Sequence, residues 1–434
     1  MVSNRLPRWR AAAIGITAAA LATGVAACSS GSGSTAGGST ASAAANAKQT
    51  IVFAESGLGT EGEQTQVAIN AFEKANPNIK VQVQVLSTDS TTYVSQLEHD
   101  FTSGSSTPDV FESDVTYTAK FAQAGWELPL TQFSVPKGDY FATGIAASTY
   151  NGTLYALPWF DNPEGLFYRT DLIKTPPTSP AQVVSDAEAA MKADPSLKEG
   201  IAFEADKYEG AITSFLTVDS AFGGSLNPSD VNTPGNVDAL NWLHSAIYTS
   251  KIAPQAVTGW QEGQVQEQFS SGYAAFAVNW PFVFAQKAVP AVQGHIGFIP
   301  FPAGPGGTPG SALGGELLAI NAKTQHAAAA YKLIQYLTSP PVETARAIAT
   351  ADPPSQPSAY TPALYAAAPY FAAVKAVSSY SAPRPLSPNY LQVSSDLQTL
   401  FSSVYANSNS TAASAAFKSS SATIASDSSA TPGS

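Results

Sequence analysis

The chain has 434 residues and a formal charge of −11, and only 12% of its residues are charged while 10% are aromatic. An acidic surface argues against nucleic acid and against electrostatic docking on anionic lipid. Sparse charge with plentiful Tyr, Phe and Trp suits a neutral polar ligand better than a phosphate.

Arg5, Arg8 and Arg10 form a short basic region, followed by an apolar stretch over 11–22 and the small residues Thr23-Gly24-Val25-Ala26-Ala27. That order reads as a secretion signal over 1–27, too short in its apolar part for a permanent membrane span. Val25-Ala26-Ala27-Cys28 resembles a bacterial lipobox, in which cleavage leaves Cys28 as a lipidated N-terminus. Cys28 is the only cysteine, so no intramolecular disulfide can form. Residues 29–47 are almost entirely Ser, Gly, Ala and Thr, the composition of a flexible tether that completes a 28–47 leash. The leader holds three of the 21 Lys and Arg and none of the 32 acids, leaving 18 bases against 32 acids, a net of −14. The body from Lys48 is long enough for two lobes of ordinary domain size.

Ile51-Val52-Phe53-Ala54 predicts a short buried strand. Apolar spacing predicts a helix over 64–75, closed by Asn76-Pro77, and alternation predicts a strand over 79–86. A helix over 93–101 and a strand over 109–111 follow. This strand–helix–strand rhythm points to a parallel α/β sheet. Further on, helices are expected over 117–124, 181–192, 238–250 and 327–337, and β runs over 273–278 and 297–300. The Ser- and Ala-rich tail over 406–434 is expected to hold a frayed helix over 412–424 and otherwise to be disordered.

A search for catalysis finds little. His99, His244, His295 and His326 are scattered singly, with no Cys/His cluster for a transition metal. No Gly-x-Ser-x-Gly elbow or Walker-type phosphate loop occurs, and Gly304-Pro305-Gly306-Gly307 reads as a surface turn. No cofactor is implied. Two carboxylates suffice for a retaining glycosidase, so a lipid-anchored glycoside hydrolase using Glu61 or Asp114 stands as the rival from another class.

Five segments, in order, resemble the extracellular solute-binding proteins of carbohydrate ABC importers. They are AFEKANPNIKVQVQVL (71–86), PDVFESDVTYTAKFAQAGWELPL (108–130), NGTLYALPWFDNPEGLFYRTDLI (151–173), GYAAFAVNWPFVF (272–284) and APRPLSPNYLQVS (382–394). The last two resemble the trehalose/maltose-binding branch in particular. The resemblance spans roughly residues 51–405. It implies a two-lobe α/β fold of periplasmic-binding-protein type II, with the sugar in a cleft between lobes. Polar side chains there pair with hydroxyls and aromatic rings pack on the sugar faces.

Carried over residue by residue, the resemblance implies that Glu61, Thr88, Asp89 and Asp114 contact the ligand from loops at strand ends. A plainer reading makes Glu61 a helix N-terminal acid, Thr88-Asp89 a turn and Asp114 a helix cap. Phe160 and Asn162 align with an aromatic and an acid, so an amide replaces the acid here, with Asp161 able to take that role by a one-residue shift. Trp280 matches a sugar-stacking Trp, Phe282 an aromatic two residues on, and Arg384 a charged contact from the second lobe. Core packing is the alternative for Trp280 and a surface position that for Arg384. Gly314-Gly315 matches a loop approaching the ligand, and Glu316 stands where relatives usually have Trp, trading a stacking surface for an acceptor.

The expected organisation is a first lobe over 48–157 plus 290–337 and a second over 158–289 plus 338–405. Lobes hinge shut on a trehalose- or maltose-like disaccharide, and a monomer delivers it to the permease of an ABC importer. Another small oligosaccharide or a glycoside is the nearest alternative ligand. Contact with the membrane is through lipid alone, at the outer face of the cell membrane.

Overall fold

A computed structural model of the chain describes residues 48–56, 61–409 and 411–429. The leader, Cys28 and the tether lie outside them. Among the described residues, ten of the twelve strands build the two large sheets. In chain order they are β1 (Gln49–Glu55), β2 (Ile79–Val85), β3 (Val110–Asp114), β4 (Ala156–Pro163) and β5 (Gly165–Arg169). Then come β6 (Glu199–Ala202), β7 (Ala274–Asn279), β8 (Ile296–Ile299), β9 (Ser311–Ile320) and β10 (Ser381–Ala382).

The first sheet has six strands in the order β10-β9-β3-β1-β2, with β4 also paired to β9. β1 runs parallel to β2 and β3, whereas β9 runs antiparallel to β3 and β4. Phe53 and Ala54 are both fully buried on opposite faces of β1, because helices cover both sides of a parallel sheet. On one face Phe53 packs with Phe72 of helix α1 (Glu61–Ala75) and with Trp159 of β4. On the other, Ala54 packs with Phe101 of helix α2 (Ser90–Thr102) and with Phe121. α1 ends at Ala75, two residues before Pro77, whose backbone disfavours helix at the preceding Asn76.

The second sheet has four strands in the order β8-β5-β7-β6. Its main core gathers around helix α3 (Glu209–Asp219), which is buried along its whole length, and helix α4 (Pro234–Tyr248), which starts at the cap Thr233 with Pro234 in its first turn. Helix α5 (Glu262–Ser270) packs against β7 from the other face, through Val265 and Phe269.

The chain crosses between the sheets at Glu164, the single residue between β4 and β5. Its N–H donates to Ala312 O of β9 (2.9 Å), and its carboxylate accepts from Thr217 Oγ1 (2.6 Å) and Ser214 Oγ (3.3 Å) of α3. Strand membership differs from the expected lobe boundaries in three places. Residues 158–163 continue β4 in the first sheet. Ile296–Ile299 pair with β5 in the second sheet, although 290–337 was expected in the first lobe. Ser381–Ala382 join the edge of the first sheet beside β9. These short strands carry no periodicity of their own, so only their hydrogen-bonding partners assign them.

Helices α6 (Ala327–Leu337) and α7 (Pro340–Thr350) follow β9. Near the C-terminus, helix α8 (Tyr390–Tyr405) is followed by helix α9 (Ala412–Ser429). α9 was expected to fray, yet Ala413, Phe417 and Ile424 are buried, and Phe417 meets Phe401 and Phe215 at ring distances of 6.4 and 6.2 Å. Their i, i+4, i+11 spacing makes one narrow apolar stripe in a helix that is otherwise small and polar.

Candidate functional site

A cleft of about 890 Å³, counting the part open to solvent, lies at the C-terminal ends of β3, β4, β6 and β7 and beside the first half of β9. The first sheet contributes Thr88 from the loop after β2, Glu112 and Asp114 of β3, and Phe160 and Asn162 of β4, with Gly314, Gly315 and Glu316 of β9. The second contributes Glu204 after β6, Tyr208, Glu209 and Thr213 around the start of α3, Glu262 at the start of α5, and Trp280 after β7. Arg384, two residues past β10, completes it.

Two glycines let the walls meet. Gly315 sits at φ +117°, and a Cβ there would lie 2.2 Å from Phe160 O, so no other residue fits without moving β4. The β9–β4 register shifts immediately after Glu316. A Cβ on Gly314 would stand 2.6 Å from Cζ3 of Trp280. The indole of the second sheet thus rests on bare backbone of the first.

Arg384 joins three elements. Its Nη2 donates to Asp114 Oδ2 (2.7 Å) and Oδ1 (3.0 Å), and its Nη1 donates to Glu209 Oε1 (2.8 Å). Glu209 also accepts from the Tyr390 hydroxyl and from Ser394 Oγ of α8. Asp114 accepts from the Thr116 N–H (2.8 Å) and Oγ1 (2.7 Å). Burial works against the Arg384 charge, but Asp114, Tyr390 and Glu209 outweigh it and hold the guanidinium protonated. Only 3% of Arg384 is exposed, so it is neither a surface residue nor an open-cleft contact. It stands between the first-sheet edge and α8 rather than wholly within a second lobe.

The remaining cleft acids are less well compensated. Burial pushes Glu112 up to about 7, against the hydrogen bond from the Ser56 N–H (2.7 Å). Burial pushes Glu262 to about 7, with Asp352 adding to it. Glu204 is 1% exposed, has no hydrogen-bond partner on either carboxylate oxygen, and is driven up by burial and then by Glu164 and Glu262.

Of the sequence-expected contacts, Thr88, Asp114, Phe160, Asn162, Trp280, Gly315, Glu316 and Arg384 come together in this one cleft. Three do not. Asp89 caps α2, accepting from the Thr92 N–H (2.7 Å). Asp161 points to the opposite face of β4 from Phe160 and Asn162, as strand alternation requires. Its carboxyl is buried and lies beside Gly144, and burial raises it to about 7. Phe282 packs against the hydrophobic cores flanking β7. Glu61 opens α1, and its side chain lies outside the described residues. Trp280 is 8% exposed and belongs both to the core beneath and to the cleft.

Sequence reading missed Glu112, Glu204, Tyr208, Glu209 and Glu262. A signal existed for Glu112, since it sits two residues before Asp114 on one strand and so shares its face. No helical period flags Glu209, because α3 is buried all round.

No helix among the described residues is long and apolar enough to cross a membrane. A family model described as bacterial extracellular solute-binding protein matches residues 56–344. A probable ABC transporter-binding protein of Deinococcus radiodurans is 30% identical over 353 residues, covering 77% of this chain and 83% of that one. The maltose-bound T. maritima MalE3 structure superposes with a TM-score of 0.81 at 28% identity, over 86% of this chain and 98% of that one. The GacH receptor of Streptomyces glaucescens GLA.O shares the fold at a TM-score of 0.78 and 23% identity, over 87% and 98% of the two chains. The two-lobe arrangement expected from the sequence is the fold of these neighbours. By its family match and its relatives, the chain belongs to the bacterial extracellular solute-binding proteins, binders that serve ABC transporters rather than enzymes, and its fold is that of their sugar- and oligosaccharide-binding members.

Proposed function

We propose that the chain captures a sugar of about disaccharide size in the cleft between its sheets and hands it to an ABC permease. The observation that carries this is the placement of Trp280 beside Phe160, Asn162, Asp114 and Arg384 in one cleft, drawn from both sheets. An indole and a phenyl ring offer faces for pyranose C–H groups. Carboxylates and an amide offer directional partners for hydroxyls stripped of water. The similarity to a maltose-bound protein at 28% identity supports a maltose- or trehalose-like ligand.

The ligand closes the lobes about the Glu164 crossing, because its contacts come from both walls. Cys28, lipidated after cleavage of 1–27, tethers the protein to the outer face of the membrane through 29–47. Thermal-shift and calorimetric screening of a disaccharide panel tests the binding reading. Saturable binding of at least one sugar, recovered unchanged, supports it; no binding across the panel, or turnover, contradicts it.

A further inference from the structure

The cleft is lopsided in charge. Six carboxyl groups line it, on Glu112, Asp114, Glu204, Glu209, Glu262 and Glu316, against one guanidinium. That guanidinium is already spent on Asp114 and Glu209. Neutral hydroxyls can pair with acids, but they do nothing for the repulsion among acids crowded together away from water.

The crowding is greatest at Glu204. Glu164 from the β4–β5 crossing and Glu262 from α5 both act on it. Its two oxygens are buried, border the cleft and lack any hydrogen-bond partner. Gly210 lets the Glu204 carboxylate and the Tyr208 ring pack onto bare backbone, since a Cβ there would stand 1.8 Å from Glu204 Oε2 and 2.2 Å from the Tyr208 hydroxyl. Thr217 and Ser214 already satisfy Glu164, and Arg384 acts on it as well. Asp352 acts on Glu262. Among the described residues, no Lys or Arg offsets these effects at Glu204. A buried acid at the cleft wall with two unpartnered oxygens and two acidic neighbours is suited to a cation brought by the ligand. An alkylammonium supplies three N–H donors and a positive charge at one point.

On the reading that this cleft holds a sugar, we propose that the preferred ligand is an amine-bearing sugar whose protonated amino group docks on Glu204, with Glu262 as its second acceptor. The rest of the ring system uses the same hydroxyl and stacking contacts as a neutral sugar. Burial and its acidic neighbours raise Glu204 well above the ordinary carboxylate range and so favour its neutral form. An arriving ammonium favours the ionised form, so a Glu204 that carries a proton gives it to solvent as the carboxylate–ammonium pair forms.

The test is calorimetric titration of the soluble body at pH 7 with α,α-trehalose and with its 2-, 3-, 4- and 6-amino deoxy derivatives. Each titration is run in two buffers of different ionisation enthalpy. At least one amino derivative is expected to bind about tenfold or more tighter than trehalose, with net release of protons. E204Q is expected to remove that advantage, bringing the amino-to-neutral affinity ratio to about one or below; E262Q is expected to reduce it. Comparing ratios within one variant separates recognition from any loss of fold, and melting temperature reports the fold directly. If trehalose binds as well as or better than every amino derivative, or if E204Q keeps the advantage, the amine proposal is overturned while sugar binding stands. If neither trehalose nor any of its amino derivatives binds, the amine proposal is overturned, and the sugar-binding reading falls only if the disaccharide panel fails as well.

Discussion

Trp280 and Gly314 are in contact across the cleft, with the indole packed where a Cβ on the glycine would come within 2.6 Å of Cζ3. The ring belongs to the segment after β7 and the glycine to β9, so a single missing methyl sets how closely the two sheets approach. Gly314→Ala is expected to tilt the indole or spread the walls and to weaken sugar binding about tenfold, with only a modest loss of melting temperature. Intrinsic fluorescence and titration check this; wild-type affinity with an unchanged emission spectrum would contradict it.

Trp280 serves both the core and the cleft, so its truncation has two consequences. Trp280→Ala is expected to cost about 3–5 kcal/mol of stability as a buried aromatic in addition to weakening binding. Trp280→Phe keeps much of the core packing but shrinks the platform, and is expected to lose affinity by on the order of 1 kcal/mol while melting near wild type. Urea denaturation and titration of the pair separate the two roles. A Phe variant with full affinity would leave Trp280 a packing residue only.

Arg384 carries a structural charge balance. Arg384→Ala leaves Asp114 and Glu209 facing one another without a cation, and breaking a buried ion pair on one side costs about 3–5 kcal/mol. Lysine is not expected to restore it, because a point charge cannot span two carboxylates as the guanidinium fork does. Adding Glu209→Gln to Arg384→Ala is expected to recover part of the loss, since it removes one uncompensated acid. A double variant as unstable as the sum of both singles, measured by urea denaturation, would contradict the coupling.

Buried carboxyls set a pH dependence of stability. Glu112 and Asp161 are raised to about 7, and Glu127 and Glu343 to about 8, each chiefly by burial. Between the ordinary carboxylate range and these values the folded chain holds protons that the unfolded chain has released, so stability falls as pH rises through that window. Above about 8 the contribution levels off. Acids lowered by partners, such as Asp171 beside Arg169, act below this range. The melting temperature of the sugar-free protein is expected to drop by at least about 3 °C from pH 5 to pH 8. A curve that is flat or rises across that interval in differential scanning fluorimetry would contradict the assignment.

Cys28→Ser is expected to abolish acylation and either release the protein to the medium or leave the leader uncleaved. Detergent partitioning and intact-mass measurement report both outcomes. A serine variant that still partitions with membrane after normal processing would contradict the anchor.

Most of the first sheet was legible because α1, β2 and α2 each bury one clear face, so apolar spacing matched the backbone period, and β1 shows as a short apolar run. The region from 156 to 169 was opaque, since β4 and β5 are buried on every residue and show no alternation. α3 and β9 hid for the same reason. The cleft was legible where acids and aromatics sit at strand ends with helix or turn signals after them, as Asp114 and Trp280 do. Asp161 shows the limit: neighbours in sequence on a strand face opposite ways, and the phase of β4 is set by its pairing with β9. Glu204 and Glu262 carry no local mark at all, because their environment is made by elements distant in the chain.

The most direct measurement is calorimetric titration of the wild-type body and Trp280→Phe with a panel of disaccharides, with the sugar recovered and analysed afterwards. One-to-one binding of at least one sugar, recovered intact, with affinity reduced in the variant, is the expected result. Absence of binding to every sugar, or recovery of hydrolysed product, would contradict sugar capture in this cleft.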